Sequence, residues 1–439
     1  MSPPQDGHHL LARIAGDANV PSGAHLQIAD RCNHACVHCY QVQGRKGEMD
    51  TATILSVIDE LAATGVFVLN VSGGEATLRP DLVPVLRHAR SRGFAIRLFT
   101  NGYTMTEPLA RELATIGLLA VEVSVYSDEP SAHDRVTRVP GSHARTLQGV
   151  RALVDAGLRV HLKVPATSIV PDAASRVRRL ADRLNATIAD PRLHVIVVSS
   201  VEITPAETGD LAPHELAPDP HELARLGELG PARLPEDRDA ARAATRREAP
   251  CGACKQSVTV LANGDLRPCT DIVAPLGNVT ERPFAELYAS PEAAFVKSIT
   301  WDDVHGCRDC DLLPGCQRCH ASASLESGDL LGPYPSACAS ARARYGLAVG
   351  TLVVTDGEGV PAGRTTGPYR IVVAGRLETA VDEVSSEDEA RRVRFPWVRP
   401  TRPYFEAMSH GEAAAKRRRP LLASTAVVAH DVRDGGGPP

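Results

Sequence analysis

From position 25 onward, short apolar segments alternate with longer stretches in which apolar residues recur three and four positions apart. The apolar segments predict six strands, at His25–Ala29, Val66–Val71, Phe94–Phe99, Leu119–Val125, Leu158–Val164 and Leu193–Ser199. The intervening stretches predict helices at Thr51–Ala63, Asp81–Ala89, Glu107–Ile116, Arg145–Ala156 and Ala173–Leu184. Strands that alternate with helices indicate βαβ units and a parallel sheet. The predicted fold class is α/β, and six such units suit a partial (β/α)6 barrel.

Polar motifs follow four consecutive predicted strands. A cysteine-rich loop follows the first strand, Ser72-Gly73-Gly74-Glu75 follows the second, Thr100-Asn101-Gly102 follows the third, and Ser124 ends the fourth. In α/β barrels the catalytic residues lie at the carboxyl ends of the strands. The four motifs therefore predict one site at one edge of the sheet.

Composition narrows the class of protein. The chain has 439 residues, which exceeds one average domain, and a net charge of −5 gives no electrostatic reason to expect nucleic acid. No apolar run approaches the roughly 20 residues that a membrane-spanning helix needs. The polar, proline-bearing start of the chain lacks the pattern of a signal peptide. We expect a cytoplasmic protein.

The cysteines are grouped rather than scattered. There are 11; three lie at positions 32, 36 and 39, and eight lie between Cys251 and Cys338. An odd number of cysteines without an export signal argues against a disulfide framework. Metal ligation in a reducing compartment accounts better for this grouping.

The first group, Cys32, Cys36 and Cys39, has the spacing C-x3-C-x2-C. Three thiolates on one loop suit a cubic iron–sulfur cluster better than structural zinc, which normally takes four protein ligands. The fourth iron would stay open for an exchangeable molecule. A zinc knuckle or three unrelated thiols are the alternatives.

The second group begins with Cys251 and Cys254, and Asn263-Gly264 predicts a hairpin turn that brings Cys254 close to Cys269. Five further cysteines follow, at positions 307, 310, 316, 319 and 338. Eight thiolates suffice for two closed cubane clusters. Paired C-x2-C motifs also suit two zinc sites of four cysteines each.

The first cysteine group resembles the signature of the radical S-adenosylmethionine (SAM) enzymes, in which the open iron chelates SAM. The resemblance implies that Cys32, Cys36 and Cys39 hold this cluster. It further implies SAM-binding roles for other residues: Gly73, Gly74 and Glu75 toward the amino group, His38 toward the adenine, and Ser124 and Arg138 toward the ribose and carboxylate. Asn101 is expected to shape its turn rather than to bind substrate.

The second cysteine group resembles the SPASM domain, an auxiliary cluster module of peptide-modifying radical SAM enzymes. By resemblance, Cys251, Cys254, Cys269 and Cys319 would hold one auxiliary [4Fe–4S] cluster, and Cys307, Cys310, Cys316 and Cys338 would hold the other. The last gap of the family pattern is one residue shorter here, which leaves His320 as a conceivable substitute for Cys319. Attachment to a radical SAM core weakens the zinc alternative.

The family resemblance implies reductive cleavage of SAM to a 5′-deoxyadenosyl radical that removes hydrogen from a peptide or protein. Maturation of a ribosomally made peptide, through a thioether or carbon–carbon link, is the first expectation. The segment from Ser124 to Pro130, with His133 and Asp134, resembles thioether-forming relatives. The expected partners are a flavodoxin or ferredoxin as electron donor and a separate peptide-recognition protein, without nucleic acid or membrane.

Two other classes of function stay open. The first is a sulfatase-type protein maturase, a radical epimerase or a dehydrogenase. Sulfatase-type relatives carry an aspartate directly after the cysteine that matches Cys269, whereas here Thr270 precedes Asp271. The second is a zinc-stapled binding protein without catalysis.

The patterns predict five segments: a lead-in (1–24), the barrel (25–203), a linker with short helices (204–250), the SPASM domain (251–342) and a C-terminal extension (343–439). The extension is expected to be largely disordered. Its two predicted strands are Leu352–Thr355 and Tyr369–Val373, and the basic run Lys416–Arg419 is expected to be a solvated patch.

Overall fold

The computed structural model describes residues 15, 19–41, 43–44, 47–200, 203–204, 206–208, 210, 212–233, 235–304, 307–327, 329–346, 352–356, 369–373 and 376–380. Two compact units divide the chain. The first comprises residues 1–207, 212–219 and 251–299, and the second comprises residues 208–211, 220–250 and 300–439. Most of the predicted lead-in, and the basic run near the C-terminus, lie outside the described residues.

The first unit contains one sheet of nine strands in the order β6-β5-β4-β3-β2-β1-β7-β8-β9. Its strands are β1 (Gly23–Ala29), β2 (Val68–Gly73), β3 (Ala95–Thr100), β4 (Ala120–Ser124), β5 (Val160–Pro165), β6 (Ile196–Ser200), β7 (Ser257–Val260), β8 (Asp265–Arg267) and β9 (Gly277–Asn278). Strands β1 to β6 are parallel to their neighbours, which confirms the predicted parallel sheet. Strand β7 pairs parallel to β1, and β8 and β9 continue antiparallel.

The helices of the described chain are α1 (Thr51–Thr64), α2 (Leu82–Ser91), α3 (Glu107–Ala114), α4 (Pro130–Thr137), α5 (Ser142–Asp155), α6 (Ala173–Asn185), α7 (Pro220–Arg225), α8 (Arg238–Arg246), α9 (Phe284–Tyr288), α10 (Pro291–Ser298), α11 (His320–Ser327) and α12 (Pro335–Arg344). Each of the five helices expected from periodicity is present, with ends shifted by a few residues. Helix α4 was not predicted, because its sequence PSAHDRVT has no apolar stripe.

Helix α1 shows how local sequence sets these elements. The Asp50 side chain accepts a hydrogen bond from Thr53 N at 2.8 Å and caps the start of the helix. Gly65 ends it with a positive φ of 96°, a conformation that glycine adopts without strain. Ile54, Ile58 and Leu61 recur at helical spacing and are completely buried.

The sheet has two unlike faces. Leu26, Leu69, Leu98 and Leu162 lie on four different strands and are completely buried, and the pairing register of the strands places them on one face. The positions between them are mostly polar. The apolar face therefore supplies the core, and the polar face is available to line a site.

The second unit contains α7, α8, α11 and α12 and a separate antiparallel sheet. The strands of that sheet are β10 (Leu352–Asp356), β11 (Tyr369–Val373) and β12 (Arg376–Ala380). The two strands expected in the C-terminal extension are present, and β12 is an addition. None of the helices in the described ranges is long and apolar enough to cross a membrane.

Candidate active site

The loop after β1 carries the first cysteine group. All three thiols are partly buried. Burial raises the pKa of Cys32 to about 11 and that of Cys36 to about 12, and the neighbouring thiols of the loop add to both shifts. The loop therefore carries three soft ligands, and the thiols of Cys32 and Cys36 stay protonated until a metal replaces the proton.

Helix α4 holds the middle of this loop. The backbone N–H of Ala35 donates to Thr137 O at 3.1 Å, and that of Val37 donates to Val136 O at 3.0 Å. Carbonyl groups of the last turn of a helix have no partner within the helix and are free to accept such bonds. The helix that the sequence did not predict thus positions the cysteine loop.

Arg79 holds both ends of the same loop. Its Nη1 donates to Ile28 O at 2.9 Å, where β1 ends, and to Met49 O at 3.0 Å, just before α1. Asp81 binds the other side of the guanidinium at 2.6 and 2.8 Å, and Arg79 is only 8% exposed. Sequence reasoning missed this residue, because a single arginine after a strand carries no local signal.

Gly73 and Gly74 let β2 lie directly against the cysteine loop. A Cβ atom on Gly73 would lie 2.3 Å from Ala29 O. A Cβ atom on Gly74 would lie 2.4 Å from Arg31 O and 3.0 Å from Cys32 Cβ. Since real Cβ atoms do not approach this closely, both positions require glycine. The two glycines bring the second strand against the cysteines themselves.

Glu75 joins the loops that follow β2 and β3. The residue is 1% exposed. Its Oε1 accepts hydrogen bonds from Thr77 N at 3.0 Å, Thr77 Oγ1 at 2.6 Å and Thr100 Oγ1 at 2.7 Å, and its Oε2 accepts one from Asn101 N at 2.6 Å. Only Oε2 retains capacity for a further donor, such as an ammonium group.

Asn101 shapes its turn, as expected, and also reaches the cysteine loop. Its Oδ1 accepts a hydrogen bond from Tyr103 N at 2.9 Å, which closes the turn. Its Nδ2 donates to Asn33 Oδ1 at 2.7 Å and lies 3.9 Å from Cys32 Sγ. The amide therefore connects the third strand to the cysteines.

Tyr126 lies beside the cysteine loop and close to two predicted site residues, His38 and Ser124. Its hydroxyl lies 3.8 Å from Cys36 Sγ, and the Ser124 side chain lies near enough to lower the pKa of the phenol slightly against the larger effect of burial. The ring of His38 meets the Tyr126 ring edge-on, with centroids 5.0 Å apart. Burial, helped by the Cys36 thiol, holds the pKa of Tyr126 well above its ordinary value, so the phenol stays protonated and can donate. Arg138 is exposed, with a φ of 58°, at the end of α4.

Several polar atoms on the cysteine loop are buried without a hydrogen-bond partner. Within the described ranges these are Asn33 Nδ2, both ring nitrogens of His34 and His38 Nδ1. Unpartnered buried polar atoms are rare in folded proteins and call for a ligand or water. Three soft thiols, a glycine-lined backbone and unpartnered polar atoms fit an iron–sulfur cluster with a polar ligand.

Three later cysteines belong to the first unit. The Asn263-Gly264 hairpin forms as predicted between β7 and β8. The Cys254 backbone N–H donates to Pro268 O at 2.8 Å, which places Cys254 near Cys269. Burial raises the pKa of the Cys254 thiol to about 12, and Cys251 adds to the shift.

The second unit gathers Cys307, Cys310, Cys316 and Cys338. Burial raises the pKa of Cys307 to about 12, and the Cys310 thiol adds to this shift. Burial, with the nearby thiols of Cys307, Cys316 and Cys310, raises the pKa of Cys338 well above its ordinary value. The four thiols therefore lie within electrostatic range of one another in the second unit.

Cys319 also lies in the second unit, where it packs against Ala323, Tyr334 and Ala337. Its backbone N–H donates to the Tyr334 hydroxyl at 2.7 Å. The neighbouring His320 is buried, and its Nδ1 lies 2.5 Å from Arg318 Nη1. The same Nδ1 lies 3.2 Å from Leu330 O, so this nitrogen contacts the protein on two sides. Across the described chain, no three Cys, His, Asp or Glu side chains converge on a single ion.

Two protein families match this chain. Residues 26–171 match the Radical SAM superfamily, and residues 251–311 match SPASM, an iron–sulfur cluster-binding domain. The match from Cys251 onward is to an iron–sulfur module, which argues against zinc as the metal bound by the paired cysteines.

Curated relatives fall into two groups. The AdoMet-dependent heme synthase of Methanosarcina barkeri is 25% identical over 340 residues, which covers 72% of this chain and 96% of that protein. Mycofactocin maturase MftC of Mycobacterium tuberculosis is 31% identical over 189 residues, covering 42% of this chain and 48% of the maturase. The PqqA peptide cyclase of Methylocella silvestris is 30% identical over 169 residues, which covers 38% of this chain and 45% of the cyclase. The chain spans about half the length of the last two relatives.

Solved structures share the fold. The chain superimposes on SuiB of Streptococcus suis bound to S-adenosylmethionine with a TM-score of 0.53 at 15% identity, covering 70% of this chain and 76% of SuiB. It superimposes on anSMEcpe with bound AdoMet and the Kp18Cys peptide with a TM-score of 0.54 at 16% identity. This match covers 74% of this chain and 96% of anSMEcpe. At these identities the likeness shows the fold.

Proposed function

We propose that this chain, a radical SAM enzyme with a SPASM domain, matures a ribosomally made peptide by forming a thioether or carbon–carbon crosslink. The observation that carries the proposal is the placement of three thiols, Cys32, Cys36 and Cys39, at the same sheet edge as Glu75. The names of the mycofactocin maturase and the PqqA peptide cyclase point to a peptide substrate.

The cofactors of these two domains are a [4Fe–4S] cluster with SAM and auxiliary iron–sulfur clusters. When bound, the first cluster and SAM supply reductive cleavage to a 5′-deoxyadenosyl radical, which removes hydrogen from a substrate carbon. Cys32, Cys36 and Cys39 would ligate that cluster.

The remaining residues of the sheet edge would bind SAM. The free side of Glu75 Oε2 would accept the SAM ammonium group, next to the backbone of Gly73 and Gly74. Ser124 and Arg138 would take the ribose and carboxylate, and His38 would contact the adenine. Glu75 is already held by four hydrogen bonds, so it presents its oxygen without further ordering cost.

The auxiliary clusters would use the other eight cysteines. One set is Cys307, Cys310, Cys316 and Cys338, whose thiols raise one another's pKa in the second unit. The other is Cys251, Cys254, Cys269 and Cys319. With every thiol ligated, both clusters are closed, so the substrate would be held by side chains and backbone. An external flavodoxin or ferredoxin would supply the electron, and a separate protein would help to recognise the peptide.

The proposal is tested with anaerobically reconstituted protein. Reduction in the presence of SAM should yield 5′-deoxyadenosine, and the fully loaded protein should carry about 12 irons, from three four-iron clusters. A precursor peptide encoded beside the gene should lose about 2 Da, the two hydrogens that leave when one crosslink forms. Absence of 5′-deoxyadenosine would refute the radical chemistry, and an unchanged peptide mass would refute the peptide assignment.

A second candidate is a reaction on a porphyrin. The match to the heme synthase covers 96% of that relative, whereas the matches to the two peptide enzymes cover about half of each. Offering porphyrin precursors under the same conditions separates the two candidates. Heme formation with an unmodified peptide would favour the porphyrin reaction.

A further inference from the structure

We propose that Arg318 is a buried cation that raises the reduction potential of the auxiliary iron–sulfur cluster in the second unit. This inference rests on the proposed function, which assigns the four-cysteine set that contains Cys307 and Cys316 to one cluster. The cysteine spacing identified the thiols in the sequence. No motif drew attention to the arginine that lies in the chain between Cys316 and Cys319.

The fold fixes the guanidinium group of Arg318 inside the second unit. The residue is only 4% exposed. Its Nη2 donates to Leu330 O at 2.6 Å and to Gly332 O at 2.7 Å, and its Nη1 lies 2.5 Å from His320 Nδ1. Its Nε is buried without a hydrogen-bond partner. Because arginine does not lose its proton in proteins, this position carries a permanent, buried positive charge.

Tyr334 connects this charge to the cysteines. The guanidinium carbon of Arg318 lies 5.9 Å from the centroid of the Tyr334 ring. The hydroxyl of Tyr334 accepts a hydrogen bond from Cys319 N at 2.7 Å, and its carbonyl oxygen accepts one from Cys338 N at 3.3 Å. Arg318 also follows Cys316 by two positions, a separation that the backbone spans in at most about 7 Å. The cation therefore lies in the region where these cysteines meet.

The thiols respond to the charge. Burial raises the pKa of Cys307 to about 12 and also raises that of Cys316, and Arg318 acts against burial at both thiols. A positive charge lowers the pKa of a thiol by stabilising the thiolate, which is the form that binds metal. The same attraction acts on a complete cluster, because four thiolates outweigh the positive charge of the iron–sulfur core and leave the site anionic.

Neighbouring acidic groups do not form an ion pair with this cation. Within the described ranges no carboxylate lies within ion-pairing distance of Arg318. Two buried carboxylates of the same unit, Glu326 and Asp329, accept hydrogen bonds from backbone N–H groups. Glu326 adds to the effect of burial and of the other thiols in raising the pKa of Cys338. A second cation, Arg344, acts on Cys316 but is partly exposed, so solvent screens it more.

A buried positive charge favours the reduced cluster over the oxidised one. Reduction adds one negative charge to a site that is already anionic, and a nearby cation stabilises that extra charge in a medium of low dielectric constant. Net charge and surroundings are among the features that set the potential of an iron–sulfur cluster. Arg318 should therefore make the cluster of the second unit easier to reduce.

The test removes the charge in full-length, anaerobically reconstituted protein and follows the clusters by potentiometric titration with EPR detection. Arg318→Gln loses the charge and keeps a hydrogen-bond donor. The one-electron reduction constant of one auxiliary cluster should fall about tenfold, as a unit charge several ångströms away predicts at an effective dielectric constant of about 20. This change corresponds to a potential lower by about 59 mV. The cluster that binds SAM is distinguished because its EPR signal changes when SAM is added.

Further variants separate charge from structure. Arg318→Lys keeps the charge but cannot reproduce the planar fork that binds two carbonyl groups, so it should keep most of the wild-type potential although the protein becomes less stable. Arg318→Met also removes the charge and is used if Arg318→Gln incorporates less iron. Arg225→Gln, an exposed arginine of the same unit, is the matched control and should leave every potential unchanged. Iron content and circular dichroism of each variant confirm that the clusters and the fold are present.

Unchanged potentials in the neutral variant would overturn the inference. So would equal shifts in Arg318→Gln and Arg318→Lys, since hydrogen bonds rather than charge would then set the potential. The cluster assignment is checked separately with Cys310→Ala, which should alter or remove the signal of one auxiliary cluster. Wild-type iron and signals in Cys310→Ala would refute that part of the proposed function. An altered signal there, with unchanged potentials in Arg318→Gln, would refute only the role of Arg318.

Discussion

The hydroxyl of Tyr126 lies 3.8 Å from the sulfur of Cys36, with the side chain of Ser124 nearby. The ring is only 6% exposed, and His133 anchors its backbone by accepting a hydrogen bond from Tyr126 N at 3.3 Å. A buried phenol with this geometry can donate to the sulfur. Hydrogen bonds to ligand sulfurs are among the features that set the potential of an iron–sulfur cluster.

Tyr126→Phe should therefore lower the reduction potential of the cluster at this loop. A donated hydrogen bond stabilises the more negative, reduced state, and its loss of about 0.5–1.5 kcal/mol corresponds to about 20–60 mV for one electron. Potentiometric titration followed by EPR spectroscopy measures the shift. Tyr103→Phe, which also removes a phenol beside the loop, is the control, and an equal potential in wild type and Tyr126→Phe would contradict the prediction.

Replacing Cys32, Cys36 and Cys39 by alanine should abolish reductive cleavage of SAM. The remaining eight cysteines should still hold about eight irons, since two closed four-iron clusters use four thiolates each. Iron analysis and assay of 5′-deoxyadenosine on the same sample check both parts. Any production of 5′-deoxyadenosine by the triple variant would contradict the assignment of the SAM-binding cluster to this loop.

Glu75→Ala should weaken SAM binding about tenfold to a hundredfold without removing iron, because one charge-assisted hydrogen bond is lost. It should also lower the free energy of unfolding by about 1–3 kcal/mol, because buried donors such as Asn101 N lose their acceptor. Thr100→Val removes a donor to Glu75 away from SAM and should affect stability alone. Unchanged SAM affinity in Glu75→Ala would leave this residue with a purely structural role.

Arg267 and Glu207 form a buried ion pair, with Nη1 3.1 Å from Oε2 and side-chain exposures of 2% and 4%. Glu207→Gln should destabilise the protein by about 3–5 kcal/mol, because the guanidinium keeps its charge in a buried setting. Urea unfolding measures the loss. Asp190→Asn breaks the exposed pair with Arg192 and should change little. If Glu207→Gln behaved like this control, the buried pair would be energetically neutral.

His133 should make stability depend on pH. Burial, with the neighbouring imidazole of His143, lowers its pKa from 6.5 to about 3. The unfolded chain therefore binds more protons between these values, and the free energy of unfolding falls as pH drops below about 6.5. The loss from pH 7 to 5.5 should be about 1 kcal/mol larger in the wild type than in His133→Asn, whose amide oxygen can still accept the Tyr126 N–H. If the unfolding free energies of the wild type and of His133→Asn changed equally with pH, His133 would not be responsible for the pH dependence.

Residue spacing alone was enough to predict the six parallel strands, the hairpin at Asn263-Gly264 and the grouping of the cysteines. These features depend on signals within a few residues of each other. The period of hydrophobic positions distinguishes strand from helix, Asn-Gly favours a tight turn, and thiols on one loop must lie close together. Such local signals survive without knowledge of the tertiary fold.

Packing decided what the sequence left open. Arg79 became a support of the cysteine loop because folding places its guanidinium beside Ile28 O and Met49 O, 51 and 30 residues away in the chain. The Tyr126 hydroxyl likewise comes to lie beside Cys36 only in the fold, because the two residues are 90 positions apart in the chain. Local sequence determines the strands, the helices and the grouping of the thiols. The environment of each charged side chain depends on residues that are distant in sequence and meet only after folding.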